Sequence, residues 1–202
     1  MVTKVGLGAL GSAAAYHASI KGARVVGFEQ FELGQVRSAS YDTSRIVRTS
    51  YGAHEFVAFA RLDANDVPYE LLTPEETNKR WPVFNVPQGV DTVFTPDSGI
   101  VHAAKAVMTL QFQARVNGAI LGENTCVEAV TPQPSGGIAI ETSQGVYHAR
   151  KVIIAADAWT NKLLKPLGVE LPITVTQEQV TYFKPSREHE AQFSNDKFPV
   201  WI

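Results

Sequence analysis

Six residues near the amino terminus, Gly6-Leu7-Gly8-Ala9-Leu10-Gly11, have the composition and spacing of a turn that receives a pyrophosphate. In such a turn the first glycine permits the sharp reversal of the chain. The second lets the backbone approach phosphate oxygens, and the third lets the following helix lie against the sheet. The start of that helix then offers unpaired N–H groups and the positive end of its dipole to the anion. Glu29 follows 18 residues after Gly11, where a carboxylate accepts hydrogen bonds from a ribose. The alternative is a glycine-rich turn in an α/β protein that holds no nucleotide.

Arg45 and Arg48 form a second group with chemical potential. A planar guanidinium grips a carboxylate through two parallel hydrogen bonds, as an amino-acid substrate would require. Arg45 could instead place positive charge over an electron-accepting ring. Both could equally be solvated, or paired with Asp42 or Glu55. Cys126 is the single cysteine, so no internal disulfide is possible, and it reads as a small core residue. The five histidines show no ligand spacing, and no metal site is expected. His17, Trp81 and Trp159 read as structural.

These groups need elements to hold them. Val2 and Val5 mark a first strand, Ser12 to Ile20 a helix that stops at Gly22, and Ala23 to Phe28 a second strand ending on Glu29. That is a βαβ unit. Thr3 and Lys4 are unusual in its first strand, which as a central strand normally carries valine or isoleucine. Residues Phe31 to Tyr51 read as an extended loop, Phe56 to Arg61 as helix, and Leu62 to Pro68 as strand-like. Thr73-Pro74-Glu75-Glu76 is a helix start with threonine as cap, and the helix must end before Pro82. Val90 to Phe94 is a predicted strand, and His102 to Asn117 an amphipathic helix closed by Gly118. Short strands follow at Ala119–Leu121, Cys126–Thr131, Gly137–Thr142 and Val146–Ala149. The run from Lys151 to Ala156 is apolar enough for a buried parallel strand. The alternation from Pro172 to Phe183 predicts an antiparallel one.

Composition sets outer limits. The chain has 202 residues, 45% of them hydrophobic and 19% charged, with a net charge of -2. These values suit a globular protein and argue against a nucleic-acid partner. The glycine-broken amino terminus does not read as a signal peptide, and no apolar run is long enough to predict a membrane span. An intracellular protein is expected.

Five stretches in order resemble the FAD-dependent amine oxidoreductases of the sarcosine oxidase, N-methyltryptophan oxidase and pipecolate oxidase family. They are Phe28 to Gly52, Leu72 to Phe84, Pro96 to Val107, Val152 to Ile173 and Phe193 to Trp201. The resemblance implies a Rossmann-like FAD domain, residues 1–61 and 98–170, interleaved with part of an antiparallel substrate domain, residues 62–97 and 171–202. It implies FAD held without a covalent bond, a small amine or amino-acid substrate, molecular oxygen as acceptor, and a cytoplasmic or peroxisomal location. Gly6, Gly8, Ala9, Leu10 and Gly11 would meet the pyrophosphate, Glu29 the ribose, Gln30 the adenosine and Val127 the adenine. Ala156 and Trp159 would pass close to the phosphates. Ser38, Ser44 and Arg45 would lead towards the flavin ring, with Arg45, Arg48 and Tyr41 in the catalytic site.

The chain also departs from that pattern. Tyr41 stands where the family has an active-site histidine, which leaves substrate preference open. Asp157 stands where many relatives carry glycine, beside the expected pyrophosphate. Two stretches are expected to be absent. One is a helix and hairpin between Arg61 and Leu62. The other lies beyond Ile202 and includes the lysine that assists oxygen reduction. Impaired amine oxidation is therefore expected. The competing readings are a non-catalytic dinucleotide-binding remnant and an NAD-dependent dehydrogenase.

Overall fold

The computed structural model describes residues 1–35, 37, 39–42, 44–48, 62–177, 179–195 and 197–201. The helix predicted at Phe56 to Arg61 lies outside them, as does Ser38.

The chain divides into two compact units. The first, Met1–Ser44 with His102–Gln177, is built on a four-stranded parallel sheet. Strand β1 (Val2–Val5) lies between β2 (Val25–Phe28) and β11 (Lys151–Ile154), and β7 (Ile120–Gly122) pairs with the far side of β2. The register sets Thr3 against both Val26 and Val152. The chain from Lys151 thus joins the same sheet as the opening βαβ unit. It is an edge strand, however, and Ile153 is 42% exposed, so the expectation of a fully buried strand is corrected. Among the described residues, only β1 covers its side.

Two apolar layers flank this sheet. On one face Val5, Phe28, Val127, Val130, Ile140 and Leu163 form a core. It is roofed by the antiparallel meander β8 (Val127–Pro132), β9 (Ile138–Thr142) and β10 (Gly145–Ala149). On the other face Leu7, Val25 and Leu121 pack against helix α1 (Ala9–Ile20) and helix α3 (Ala103–Val116). Ala15 and Ala114 are fully buried within this second core. Small residues at such positions let two helices approach closely. Gly118, at φ 82°, follows α3 and ends it in the left-handed conformation that glycine accepts.

Thr3 and Lys4 are both buried, Lys4 being only 1% exposed. The Thr3 hydroxyl has no hydrogen-bond partner. Burial pushes the Lys4 amine below the ordinary lysine range. An amine whose folded pKa is lowered binds fewer protons when folded than when unfolded, so stability should rise as pH climbs through that window. Lys4→Met keeps the length and removes the charge. Its melting temperature at neutral pH should exceed the parent's by about 5 °C, and the alkaline gain in stability should flatten. Calorimetry across pH checks both. An unchanged or lower melting temperature would mean that the amine is well solvated in place.

The second unit, Arg45–Val101 with Glu178–Ile202, carries two ribbons. One pairs β3 (Arg45–Val47) with β6 (Gly99–Val101), the other β4 (Glu70–Leu72) with β5 (Thr92–Phe94). Helix α2 (Pro74–Arg80) starts on the expected reciprocal cap. The Glu76 N–H donates to Thr73 Oγ1 at 3.3 Å, and the Thr73 N–H donates to Glu76 Oε2 at 2.8 Å. The helix ends at Arg80, before Pro82, as its sequence requires.

Three expectations are corrected in these segments. Residues 62–64 are helical, and Leu62 is buried, because one apolar anchor outweighs weak strand propensity. The loop expected from Phe31 contains β3. The described residues between Pro172 and Phe183 form no strand. Alternation marks two faces, but a strand also needs a neighbour to receive its ladder hydrogen bonds.

Candidate functional site

The carboxyl ends of β1 and β11 and the amino end of α1 surround a cleft of about 480 Å³. Open parallel sheets bind ligands in this place, where the connections diverge to opposite faces. Gly6, Gly8, Ala9, Leu10, Glu29, Gln30, Val127, Ala156 and Trp159 all line it. Gly11 does not. It packs inward, where an added Cβ would stand 1.8 Å from the Gly6 carbonyl oxygen. Gly6 adopts φ 84°, and a Cβ there would stand 2.3 Å from the Ala155 carbonyl oxygen. Gly8 differs from both. A Cβ on it would face the cleft and meet only the Ser40 side chain, at 3.1 Å from Oγ.

Glu29 is 7% exposed, and its two oxygens have different work. Oε2 accepts the Leu7 N–H at 2.9 Å, and Oε1 accepts the Phe31 N–H at 3.4 Å. A carboxylate offers about four lone-pair sites, so acceptor capacity remains for hydroxyl donors. An acceptor-only group suits a ribose diol and repels a phosphate in the same position.

Ser40 was not among the predicted site residues. It accepts the Ala9 N–H through Oγ at 2.9 Å. Gly8, at the N-cap of α1, has no side chain to do so, and Ser40 caps the helix from 31 residues away. Its hydroxyl hydrogen can still turn towards an acceptor. The only local signal was a serine in a loop following a ribose-type acid, which is not distinctive. Cys126, expected in the core, is half-buried and lines the cleft. Trp159, read as a packing residue, is 42% exposed and also lines it. His17 is exposed on α1.

The remaining predicted residues are placed differently. Tyr41 is exposed and lines a smaller hollow that shares Gly8, Glu29 and Ser40 with the cleft. Ser44 is half-buried and is not part of the cleft lining. Arg45 opens β3 opposite Val101, and Arg48 follows that strand; both are half-buried and belong to the second unit. Among the described residues no group of three or more histidine, cysteine or acidic side chains could hold a metal ion.

Asp157 sits at φ 47° on the lip of the cleft, directly after Ala156. A non-glycine residue in that region is strained, and it lines the space an anion would fill. Asp157→Gly should raise stability by about 1 kcal/mol. It should also tighten binding of ADP, by removing a like charge. Thermal shift and isothermal titration calorimetry check these separately. Weaker ADP binding would mean that the carboxylate contributes to the site.

Residues 52–201 match the family described as FAD dependent oxidoreductase. The chain belongs to this family. The match begins after the glycine-rich turn, so the turn and its carboxylate rest on the geometry above. Monomeric sarcosine oxidase of Bacillus sp. (strain B-0618) is 26% identical, with 100% of this chain and 62% of the relative covered. That alignment runs over 245 residues against 202 here, so the relative carries further residues inside the matched stretch. Peroxisomal sarcosine oxidase of Homo sapiens is 26% identical over 89% of this chain and 56% of its own length. N-methyl-L-tryptophan oxidase of Yersinia pestis is 27% identical over 82% and 55%. The chain thus spans about 60% of the length of the curated relatives it matches.

Among solved structures, NikD, an amino acid oxidase of nikkomycin biosynthesis, superposes with a TM-score of 0.72 at 22% identity, covering 84% of this chain and 54% of NikD. Glycine oxidase from Geobacillus kaustophilus gives 0.67 at 21% identity, covering 84% and 58%. Both show the α/β fold of FAD-dependent amino-acid oxidases. FAD is the family's cofactor, and the residues present fit it. The cleft combines an N-terminal helix end, a glycine without a side chain, a carboxylate with spare acceptor sites and an apolar wall at Val127. Among the described residues, no helix is long and apolar enough to cross a membrane.

Proposed function

We propose that this chain is the FAD-holding part of an amine oxidoreductase acting on a secondary amine or N-methyl amino acid. The observation that carries the reading is one cleft that collects nine of the residues expected to touch the dinucleotide, in a chain of this family. FAD would supply the electron acceptor for oxidation of the amine to an imine, with oxygen leaving as hydrogen peroxide.

The protein's own work in this reading is positioning and charge. The α1 terminus at Gly8, Ala9 and Leu10 holds the pyrophosphate, with Gly11 seating the helix. Glu29 holds the ribose, Gln30 and Val127 the adenosine, and Ala156 and Trp159 the cleft's lip. Ser38, Ser44 and Arg45 lead towards the ring. Arg48 takes the carboxylate of an amino-acid substrate, and Tyr41 shapes the amine side. By domain, residues 1–61 and 98–170 serve the cofactor and residues 62–97 and 171–202 the substrate. The names of the relatives support N-methyl amino acids such as sarcosine as substrates, and that of the human relative supports a peroxisomal setting.

The residues that relatives add within the matched stretch support a further point, that turnover is impaired. Oxidation needs substrate held near attack distance in a dry pocket, and missing walls weaken both. A peroxide-coupled assay with sarcosine, N-methyltryptophan and pipecolate, with FAD in excess, tests the reading. Turnover on any of them, far below that of a complete relative, is the expected result. Turnover at a complete relative's rate would overturn the impairment, and none on any amine would favour a dinucleotide-binding remnant. Acid precipitation should release all flavin into the supernatant, because Cys126 lies beside the adenine-side Val127. Colour kept in the pellet would show a covalent link.

A further inference from the structure

We infer that Gln111, far from the glycine-rich turn in sequence, is a positioning residue that sets how strongly the site grips a ribose. This rests on the dinucleotide reading proposed above.

Gln111 lies on α3, one turn before Ala114, on the face that packs against α1. It is 5% exposed. Its Nε2 donates to the Leu7 carbonyl oxygen at 2.9 Å and to Ser12 Oγ at 3.3 Å. The Ser12 hydroxyl donates to the same Leu7 carbonyl at 2.7 Å. The amide orientation follows from chemistry: both partners are acceptors here, so only the NH₂ end can face them. Leu7 is thereby held on every side. Its N–H donates to Glu29 Oε2, and its side chain lies over Gly27, where an added Cβ would approach to 2.8 Å.

The consequence runs through one peptide unit after another. Gln111 and Ser12 fix the Leu7 carbonyl. That carbonyl belongs to the Leu7–Gly8 peptide; with the Leu7 side chain seated over Gly27, holding it limits rotation about the Leu7 Cα and so steadies the preceding peptide, whose N–H orients the Glu29 carboxylate. A carboxylate aimed by a rigid donor presents its remaining lone pairs in one direction, and a swinging carboxylate does not. Gln111 thus acts on the ribose without touching it, and only a ligand with ribose hydroxyls can report its effect.

The test compares ADP with 2′,3′-dideoxy-ADP by isothermal titration calorimetry on the whole chain. The parent should prefer ADP by about tenfold, the order expected for hydrogen bonds to a charged acceptor. Gln111→Met keeps length and burial and removes both donors. The Leu7 carbonyl keeps its Ser12 partner, so the fold has no orphaned acceptor. The preference should drop to about threefold or less, chiefly through weaker ADP binding. General loosening of the fold would weaken both ligands and leave the ratio intact, and that result overturns the inference. Ser12→Ala removes the other donor by an independent route. It should reduce the ratio in the same direction, and an undiminished ratio there also counts against the clamp if Gln111→Met proves insoluble. A parent that binds neither ligand, or binds both equally, overturns the dinucleotide reading and this inference with it.

Discussion

Gly8→Val should weaken FAD binding at least about a hundredfold while lowering the melting temperature of the free protein by only a few degrees, about the loss of one helix cap. The backbone at Gly8 is ordinary for any residue, at φ -67° and ψ -163°. A new Cβ would meet only the Ser40 side chain, which can turn aside at the loss of its bond from the Ala9 N–H. The valine methyls would then stand over the first turn of α1, where in the proposed reading phosphate oxygens would meet the Leu10 N–H and its neighbours. A branched side chain there keeps the anion from contact distance, and charge-assisted hydrogen bonds decay quickly with separation. Fluorescence titration with FAD, alongside a thermal melt without ligand, separates the two effects. Unaltered affinity would place the dinucleotide elsewhere.

Gly11→Ala should do the opposite. Its Cβ would lie 1.8 Å from the Gly6 carbonyl oxygen and 3.5 Å from the Ala155 Cβ. Neither the turn nor the neighbouring strand can yield, since the Ala155 N–H is bonded to the Val5 carbonyl at 2.7 Å. The helix must move off the sheet, at a cost of about 3 kcal/mol or more. Loss of soluble protein, or a large fall in melting temperature, is the expected outcome in chemical and thermal denaturation. A stable Gly11→Ala protein would mean that α1 can slide outwards, and that the third glycine is not the contact that seats it.

These two glycines show why this site was legible in the sequence. Gly11 is demanded by its contact with the Gly6 carbonyl inside one βαβ unit, and Gly6 by its own left-handed φ of 84°, so their spacing carries the geometry directly. Glu29 ends a strand that a run of valines announces. The Thr73 cap works in the same way, through partners three residues apart. Ser40 and Gln111 carry no such mark. Ser40 acts on a residue 31 positions away and Gln111 on residues 104 and 99 positions away, and only the packed fold reveals these bonds. The stretch from Pro172 to Phe183 failed for the converse reason. Its alternation is a local property, whereas strand pairing depends on a neighbour that the alternation cannot specify. Tyr41 and Arg48 are assigned to the catalytic site by resemblance alone, and the cleft's lining, which excludes both, bears on the dinucleotide and not on that role.

The most direct measurement is a competition at the cleft itself. Purified protein, stripped of nucleotide, is titrated with FAD, NAD, riboflavin and ADP under one set of conditions. With the pyrophosphate at α1 and the ribose at Glu29, FAD and ADP should bind, each should displace the other, and riboflavin should bind far more weakly than either. Binding of riboflavin as tight as FAD, or a preference for NAD over FAD, would contradict an FAD cleft built on Gly8 and Glu29.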